Sequence, residues 1–175
     1  MSDTTFNPLD DPNADPFQIA AQAADDIARL TGVAHHDITL TLGSGWGRAA
    51  ELIGETVATI PATEVTGFSK PALEGHVGTL RSVRTPEGKH VLVIGARTHF
   101  YEDHGVRRVV HSVRTAAATG ATTMVLTNGA GGIRPTWTPG QPVLISDHIN
   151  LTAASPLEGA TFVDLTDLYS TRLRE

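Results

Sequence analysis

Residues 90–105 read HVLVIGARTHFYEDHG, and the change of character inside this stretch decides the fold. Residues 90–95 are an apolar, β-branched run bounded by glycine, which predicts an apolar strand. At Arg97 the chain turns abruptly polar and offers Arg97, His99, Tyr101, Glu102, Asp103 and His104 within eight residues. Open α/β sheets hold their ligands at the C-terminal ends of strands, so the cluster sits where a site belongs. In an extended segment side chains alternate, and Arg97, His99 and Tyr101 share a face. That face carries a guanidinium fork, an imidazole and a phenol. The fork suits an oxyanion bidentately, and Glu102 can set the tautomer or charge of a nearby histidine. A solvated polar loop would explain the charges, but not their position at a strand end.

Working outward, an apolar run at residues 79–84 precedes the strand, and Pro86-Glu87-Gly88 between the two reads as a hairpin turn. After the cluster, Val106, Val110, Val113 and Ala117 recur at helical spacing up to Gly120. Met124-Val125-Leu126 then reads as a short buried strand opening into the small-residue loop 127–132, and residues 143–145 read as another strand leading to Asp147-His148. Toward the N-terminus, Asp15 is a helix cap, followed by Pro16 at the first helical position and Gln18 three residues after the cap. Ile19, Ala23, Ile27 and Leu30 continue the helix to Gly32. Ile38, Leu40 and Leu42 alternate with Thr39 and Thr41 in a strand running into Gly43, and residues 48–53 follow as a short helical stretch. The order predicts an α/β fold: a mixed central β-sheet flanked by helices. Residues 1–15 read as a flexible tail and residues 16–175 as one domain. A helical pattern begins at Asp167 and stops at Glu175, so a further C-terminal part of that domain is expected.

Composition narrows the function. The 175 residues are enough for a domain with a real core. A net charge of −6 excludes a general nucleic-acid surface, although a few local donors still make an anion site. The sequence has no cysteine, hence no disulfide framework and no thiol nucleophile. It shows neither a secretory signal nor an apolar run of membrane-spanning length. A soluble cytoplasmic protein is expected, with no nucleic-acid or membrane partner.

Three other segments carry chemistry. Residues 43–47, GSGWG, follow a strand, and their amides together with the Ser44 hydroxyl form either an anion loop or a tight turn. A P-loop lacks its Lys-Ser/Thr end here. A dinucleotide fingerprint lacks a glycine at Arg48, and a hydrolase elbow has different glycine spacing. Residues 75–78, GHVG, present His76 between glycines, as a ligand contact or as an incidental histidine in a turn. Residues 127–132, TNGAGG, let a ligand meet bare backbone. A metal site is not expected, since the histidine spacing fits no common ligand pattern. His35 and His36 read as part of a surface turn beside Asp37, and His111 as a structural helix residue.

In this order, the four segments resemble the trimeric-class purine nucleoside phosphorylases. The family's Leu-Gly-Ser-Gly loop is matched at residues 42–45 and its Gly-His-x-Gly turn at residues 75–78. Its Arg-x-His-x-Tyr-Glu-x-His segment is matched at Arg97, His99, Tyr101, Glu102 and His104. Its Thr-Asn-Ala-Ala-Gly-Gly segment is matched at residues 127–132, and Asp-His-Ile-Asn-Leu at residues 147–151 is also similar. Ala96 and Asp103 stand where the family has glycine, and Gly129 stands where it has alanine. Gly129 keeps a backbone donor but loosens its loop, whereas Asp103 adds negative charge close to an anion site.

The resemblance implies a nucleoside phosphorylase-like fold and reversible phosphorolysis of purine nucleosides to free purine and pentose 1-phosphate, a salvage reaction. It implies phosphate contacts from Ser44, His76, Arg97, His99 and the Gly129 amide, with His99 and Glu102 as the catalytic pair. Tyr101 would meet the ribose, Ala130 and Gly131 would line the base, and Phe162 would serve a neighbouring subunit of a homotrimer. No metal or organic cofactor is implied, because phosphate is a co-substrate. The family's purine-contacting Glu and Asn and a further phosphate-contacting Ser have no counterpart in these 175 residues. Alternatives are a methylthioadenosine phosphorylase, a catalytically incomplete phosphate-binding fragment, and, against the glycine pattern, a dinucleotide-binding oxidoreductase.

Overall fold

A computed structural model describes residues 6–43, 46–69, 78–95 and 97–175. The first helix, α1 (Pro16–Thr31), begins as its sequence dictates. The Asp15 carboxylate accepts the Phe17 amide at 2.8 Å, Pro16 needs no amide partner, and Gly32 closes the helix at φ 72°. An aspartate cap of this kind contributes about 1 kcal/mol. Four strands follow: β1 (Ile38–Thr41), β2 (Glu55–Pro61), β3 (Thr79–Arg84) and β4 (His90–Ile94). Two short helices, α2 (Gly105–Val109) and α3 (His111–Ala118), lead to β5 (Thr123–Leu126). A final turn of helix, α4 (Thr171–Arg174), lies near the end.

The sheet is mixed, in the order β2-β3-β4-β1-β5. β2, β3 and β4 pair antiparallel, while β1 pairs parallel with β4 on one side and β5 on the other. The predicted hairpin is present: Gly88 takes φ 83° and its amide bonds the Thr85 carbonyl at 2.9 Å. The apolar run of β4 is continuous because both of its faces are covered. Leu92 and Ile94 join Ala23 and Ile27 of α1, whereas Val91 and Val93 pack with Ala50 and Val83. Burying each such aliphatic side chain stabilises the fold by roughly 1.5–3 kcal/mol.

The sequence reading passed over β2, which has no alternating apolar pattern, since only Ile60 of its residues is buried. It forms because it pairs with β3 at the sheet edge, where Pro61 is tolerated. Other expectations are corrected. The stretch read as one helix over residues 106–120 breaks at Val110, and its buried face is His111, Thr115 and Ala116 rather than the valines. His111 is structural, as expected: its Nε2 lies 2.9 Å from the Thr66 carbonyl. Gly67, at φ 79°, leaves room for that ring, since a Cβ there would lie 2.5 Å from Nε2. Residues 7–14, read as part of a flexible tail, are tied down. Asn7 and Leu9 are buried, the Asn7 amide donates to the Gly67 carbonyl, and Arg107 donates to the Asp11, Pro12 and Ala14 carbonyls. Arg108 pairs with Asp10, and that contact holds the Asp10 carboxyl below its ordinary range.

The chain divides into two compact units, Met1–Gly129 and Ala130–Glu175. The second is mostly irregular. Its organisation is local: an Asn150 side chain bonds the Thr152 amide, Asp164 bonds that of Thr166, and Tyr169 meets His148. Residues 143–145 are not a strand, and Leu144 is 73% exposed. A strand exists only with a ladder partner, and among the described residues none pairs with this segment. Of the helix read from Asp167, only the turn α4 is present.

His36 is the other correction, because it is not in a surface turn. It is 1% exposed, with Nε2 3.0 Å from the Ser82 hydroxyl of β3 and its ring edge-on to His90 of β4. Burial pushes its pKa down to about 4, and the neighbouring His90 and His35 push the same way against Asp37. The value lies below the ordinary 6.5, so the unfolded chain takes up the proton more readily. The stability contributed by neutral His36 is therefore complete above pH 6.5 and lost as pH falls toward 4, amounting to about 3 kcal/mol. Urea unfolding between pH 7.5 and 4.5 should show this slope in the wild type and a flatter one in His36→Gln. Equal slopes would assign the acid sensitivity elsewhere.

Candidate functional site

The register of the parallel strands assembles the site. Thr41 stands opposite Ile94 of β4 and Leu126 of β5, so β1, β4 and β5 all end at one level. The loops starting at Leu42, Gly95 and Thr127 therefore leave the sheet side by side. The ladder continues one step past β5, with the Thr127 amide on the Thr41 carbonyl at 2.9 Å.

Arg97 is half-buried at this edge. Its Nη1 donates to the Thr127 carbonyl at 3.3 Å. A Cβ on Gly43 would stand 2.7 Å from that carbonyl and 3.1 Å from the Arg97 Nη2. The glycine is thus required by close approach, for no side chain fits between the first loop and the arginine.

Beyond Arg97 the chain turns through a single 3₁₀ turn, Phe100–Glu102. The turn folds Glu102 back on His99: one carboxylate oxygen accepts the His99 amide at 2.8 Å and lies 2.7 Å from the ring Nδ1. The Glu102 side chain is 8% exposed and that of His99 35% exposed. A carboxylate on Nδ1 selects the tautomer protonated there and leaves Nε2 for a ligand, as acceptor when neutral and as donor when protonated. The second Glu102 oxygen lies 3.9 Å from His104 Nε2. Tyr101 is 77% exposed and stacks on the His99 ring at 4.8 Å between centroids.

Asp103 ends the turn in the left-handed region, at φ 62°. That conformation explains why a glycine is the easier residue at this position, and aspartate is among the few others that adopt it. Gly129 differs: its φ is not positive and a Cβ there would meet nothing within 4 Å, so an alanine fits equally well.

Of the residues singled out from sequence, Arg97, His99, Tyr101 and Glu102 are brought together on one loop, and Gly129 ends the same unit. Ser44 and His76 lie outside the described residues. Ala130, Gly131 and Phe162 belong to the second unit, where Phe162 is 92% exposed. Sequence reasoning placed Gly43 and Thr127 within its two small-residue loops but gave neither a role. Gly43 is the second residue after β1 and Thr127 the first after β5, and only the folded chain shows their contacts with Arg97. Among the described residues no group of three or more His, Asp or Glu side chains is arranged to hold a metal ion.

A guanidinium and a carboxylate-oriented imidazole thus stand at the C-terminal edge of the parallel strands. A profile of the phosphorylase superfamily matches residues 37–175, and the chain belongs to that family. Within it, the chain is 63% identical over 172 residues to a purine nucleoside phosphorylase of a Cellulomonas species, covering 96% of this chain and 61% of the relative. It is 54% identical over 166 residues to the purine nucleoside phosphorylase of Mycobacterium tuberculosis, covering 94% of this chain and again 61% of the relative. Isoform 2 of the Schistosoma mansoni purine nucleoside phosphorylase, solved with cytosine and ribose-1-phosphate, superposes with a TM-score of 0.74 at 32% identity. That match takes in 90% of this chain and 57% of the solved one. The chain thus spans about three fifths of the length of the curated relatives it matches.

Replacing Asp103 by glycine relieves the left-handed strain at the end of the turn. Asp103→Gly should raise stability by about 0.5 kcal/mol, after the extra chain entropy of glycine is subtracted. A urea midpoint shifted upward at unchanged slope is the expected reading, and a lower midpoint would mean that the aspartate side chain contributes a contact of its own.

Proposed function

We propose that this chain carries the phosphate and ribose half of a purine nucleoside phosphorylase. The reaction is reversible phosphorolysis of purine nucleosides to free purine and pentose 1-phosphate. The observation that carries the reading is the Arg97 and His99–Glu102 cluster at the shared end of three parallel strands. Phosphate would be held by Arg97, His99 and the Gly129 amide, joined by Ser44 and His76 on the strength of the sequence match. Tyr101 would face the ribose, and Ala130 and Gly131 the base.

In the forward direction a phosphate oxygen bonds to the anomeric carbon as the glycosidic C–N bond breaks. The purine leaves with the bonding pair and takes up a proton. No bond to the protein forms, so catalysis is positioning plus electrostatic stabilisation of a cationic sugar by the adjacent phosphate. His99, oriented by Glu102, holds a proton at Nδ1 and presents Nε2 to the phosphate. Neither a metal nor an organic cofactor takes part, and phosphate is a co-substrate. The working protein is a cytoplasmic homotrimer in purine salvage, with Phe162 offered to a neighbouring subunit. Among the described residues, no helix is long and apolar enough to cross a membrane.

The test is release of free purine from inosine and guanosine, with and without phosphate. Phosphate-dependent release is expected. Arg97→Ala should raise the phosphate KM by roughly 10- to 100-fold through loss of a charge-assisted bidentate contact. An unchanged KM would remove Arg97 from the site. Preference for 5′-methylthioadenosine over inosine would move the assignment to the related methylthioadenosine phosphorylases. Phosphate binding without purine release would leave the chain as a phosphate-binding fragment.

A further inference from the structure

We propose that Thr127 is the positioning residue for Arg97, acting with Gly43. This rests on the phosphate-site reading above and adds a residue to it. The Thr127 hydroxyl uses both of its capacities at the strand ends. It donates to the Thr41 carbonyl at 3.0 Å and accepts the Gly43 amide at 2.8 Å. The last carbonyl of β1 and the first amide of the glycine loop are therefore tied to one side-chain oxygen on the neighbouring loop. The main-chain carbonyl of the same residue receives the Arg97 Nη1 at 3.3 Å. With its amide also on the Thr41 carbonyl, Thr127 is held to β1 through main chain and side chain together.

The arginine head thus rests on a carbonyl whose place is set by the threonine hydroxyl. Gly43 completes the arrangement from the other side. Its missing side chain is the space in which the Thr127 carbonyl and the Arg97 guanidinium meet, at 2.7 and 3.1 Å from where a Cβ would stand. One hydroxyl so couples the amide-rich loop of β1 to the guanidinium that follows β4, through the loop of β5. Valine has nearly the shape of threonine but neither donates nor accepts. At position 127 it leaves the Gly43 amide and one bond of the Thr41 carbonyl unmet, and it frees the carbonyl on which Arg97 rests. Serine keeps the hydroxyl and lacks only the methyl group.

The measurement is the dissociation constant for inorganic phosphate by calorimetry on the full chain, with a melting curve for each variant. Thr127→Val should weaken phosphate binding about tenfold, and Thr127→Ser should stay within about threefold of the wild type. Combined with Arg97→Ala, Thr127→Val should cost nothing further, because it acts through the arginine. A Thr127→Val chain that binds phosphate like the wild type, or whose loss adds in full to that of Arg97→Ala, overturns the proposal while leaving the phosphate site intact. If Thr127→Val does not fold, Gly43→Ala decides: its Cβ displaces the guanidinium, so tenfold weaker phosphate binding supports the proposal and unchanged binding overturns it. A wild-type chain that binds no phosphate overturns the phosphate-site reading itself, and the positioning role falls with it.

Discussion

The parallel pairing of β1 with both β4 and β5 is the constraint on which the rest depends. Parallel ladders set neighbouring strands running the same way, and in this register Thr41, Ile94 and Leu126 stand level. Three loops far apart in sequence then begin side by side along one edge of the sheet. A shift of one residue in either ladder would turn each side chain to the opposite face and separate Thr127 from Gly43. The apolar packing of β4 on both faces holds that register, because a slip would strip Leu92 and Ile94 from α1 and Val91 and Val93 from the opposite cluster. The hydrophobic core and the site geometry are in this sense the same constraint seen at two ends of the strands.

The two ends of the sheet treat buried polarity differently. At the N-terminal end of β1, His36 is enclosed, shares a hydrogen bond with Ser82 and is kept neutral by its surroundings. At the C-terminal end the polar groups are only half-buried, with Arg97 on the Thr127 carbonyl and His99 on the Glu102 carboxylate. On the proposed reading such an edge would attract an anion despite the net charge of −6, because groups in contact outweigh a screened distant field. The short polar loop is itself braced. Beyond His104, Arg107 and Arg108 of α2 grip the N-terminal segment through its carbonyls and Asp10, so the loop that carries Arg97 and His99 runs between two anchored ends.

The departures from the family pattern sort themselves by backbone geometry. Asp103 occupies a left-handed position that glycine takes most easily, and its side chain is exposed. Gly129 occupies a position with ordinary φ and open space, where alanine and glycine are sterically equivalent. Neither change disturbs the contacts between Arg97, Thr127 and Gly43, which are set by main-chain atoms and one hydroxyl.

Much of this was legible in the sequence because it is local. The Asp15 cap and Gly32 stop of α1, the hairpin at Gly88, the strands β1, β4 and β5 and the polar loop after β4 are each written in a few consecutive residues with a period of 3.6 or 2. The residue types at 97, 99, 101 and 102, and with them the family, follow from the same short reading. What the tertiary structure decided is whatever depends on a partner distant in the chain. β2 is a strand only because β3 pairs with it, and residues 143–145 are none because no strand among the described residues pairs with them. His36, Asn7 and Leu9 are buried because remote elements cover them, and the inward face of α3 is set by what it packs against. Gly43 and Thr127 acquire their meaning only when parallel register brings two strand ends together. Local sequence fixes the torsional preferences of a segment, whereas burial and hydrogen-bond partnership belong to pairs of segments, and only the folded chain specifies those pairs.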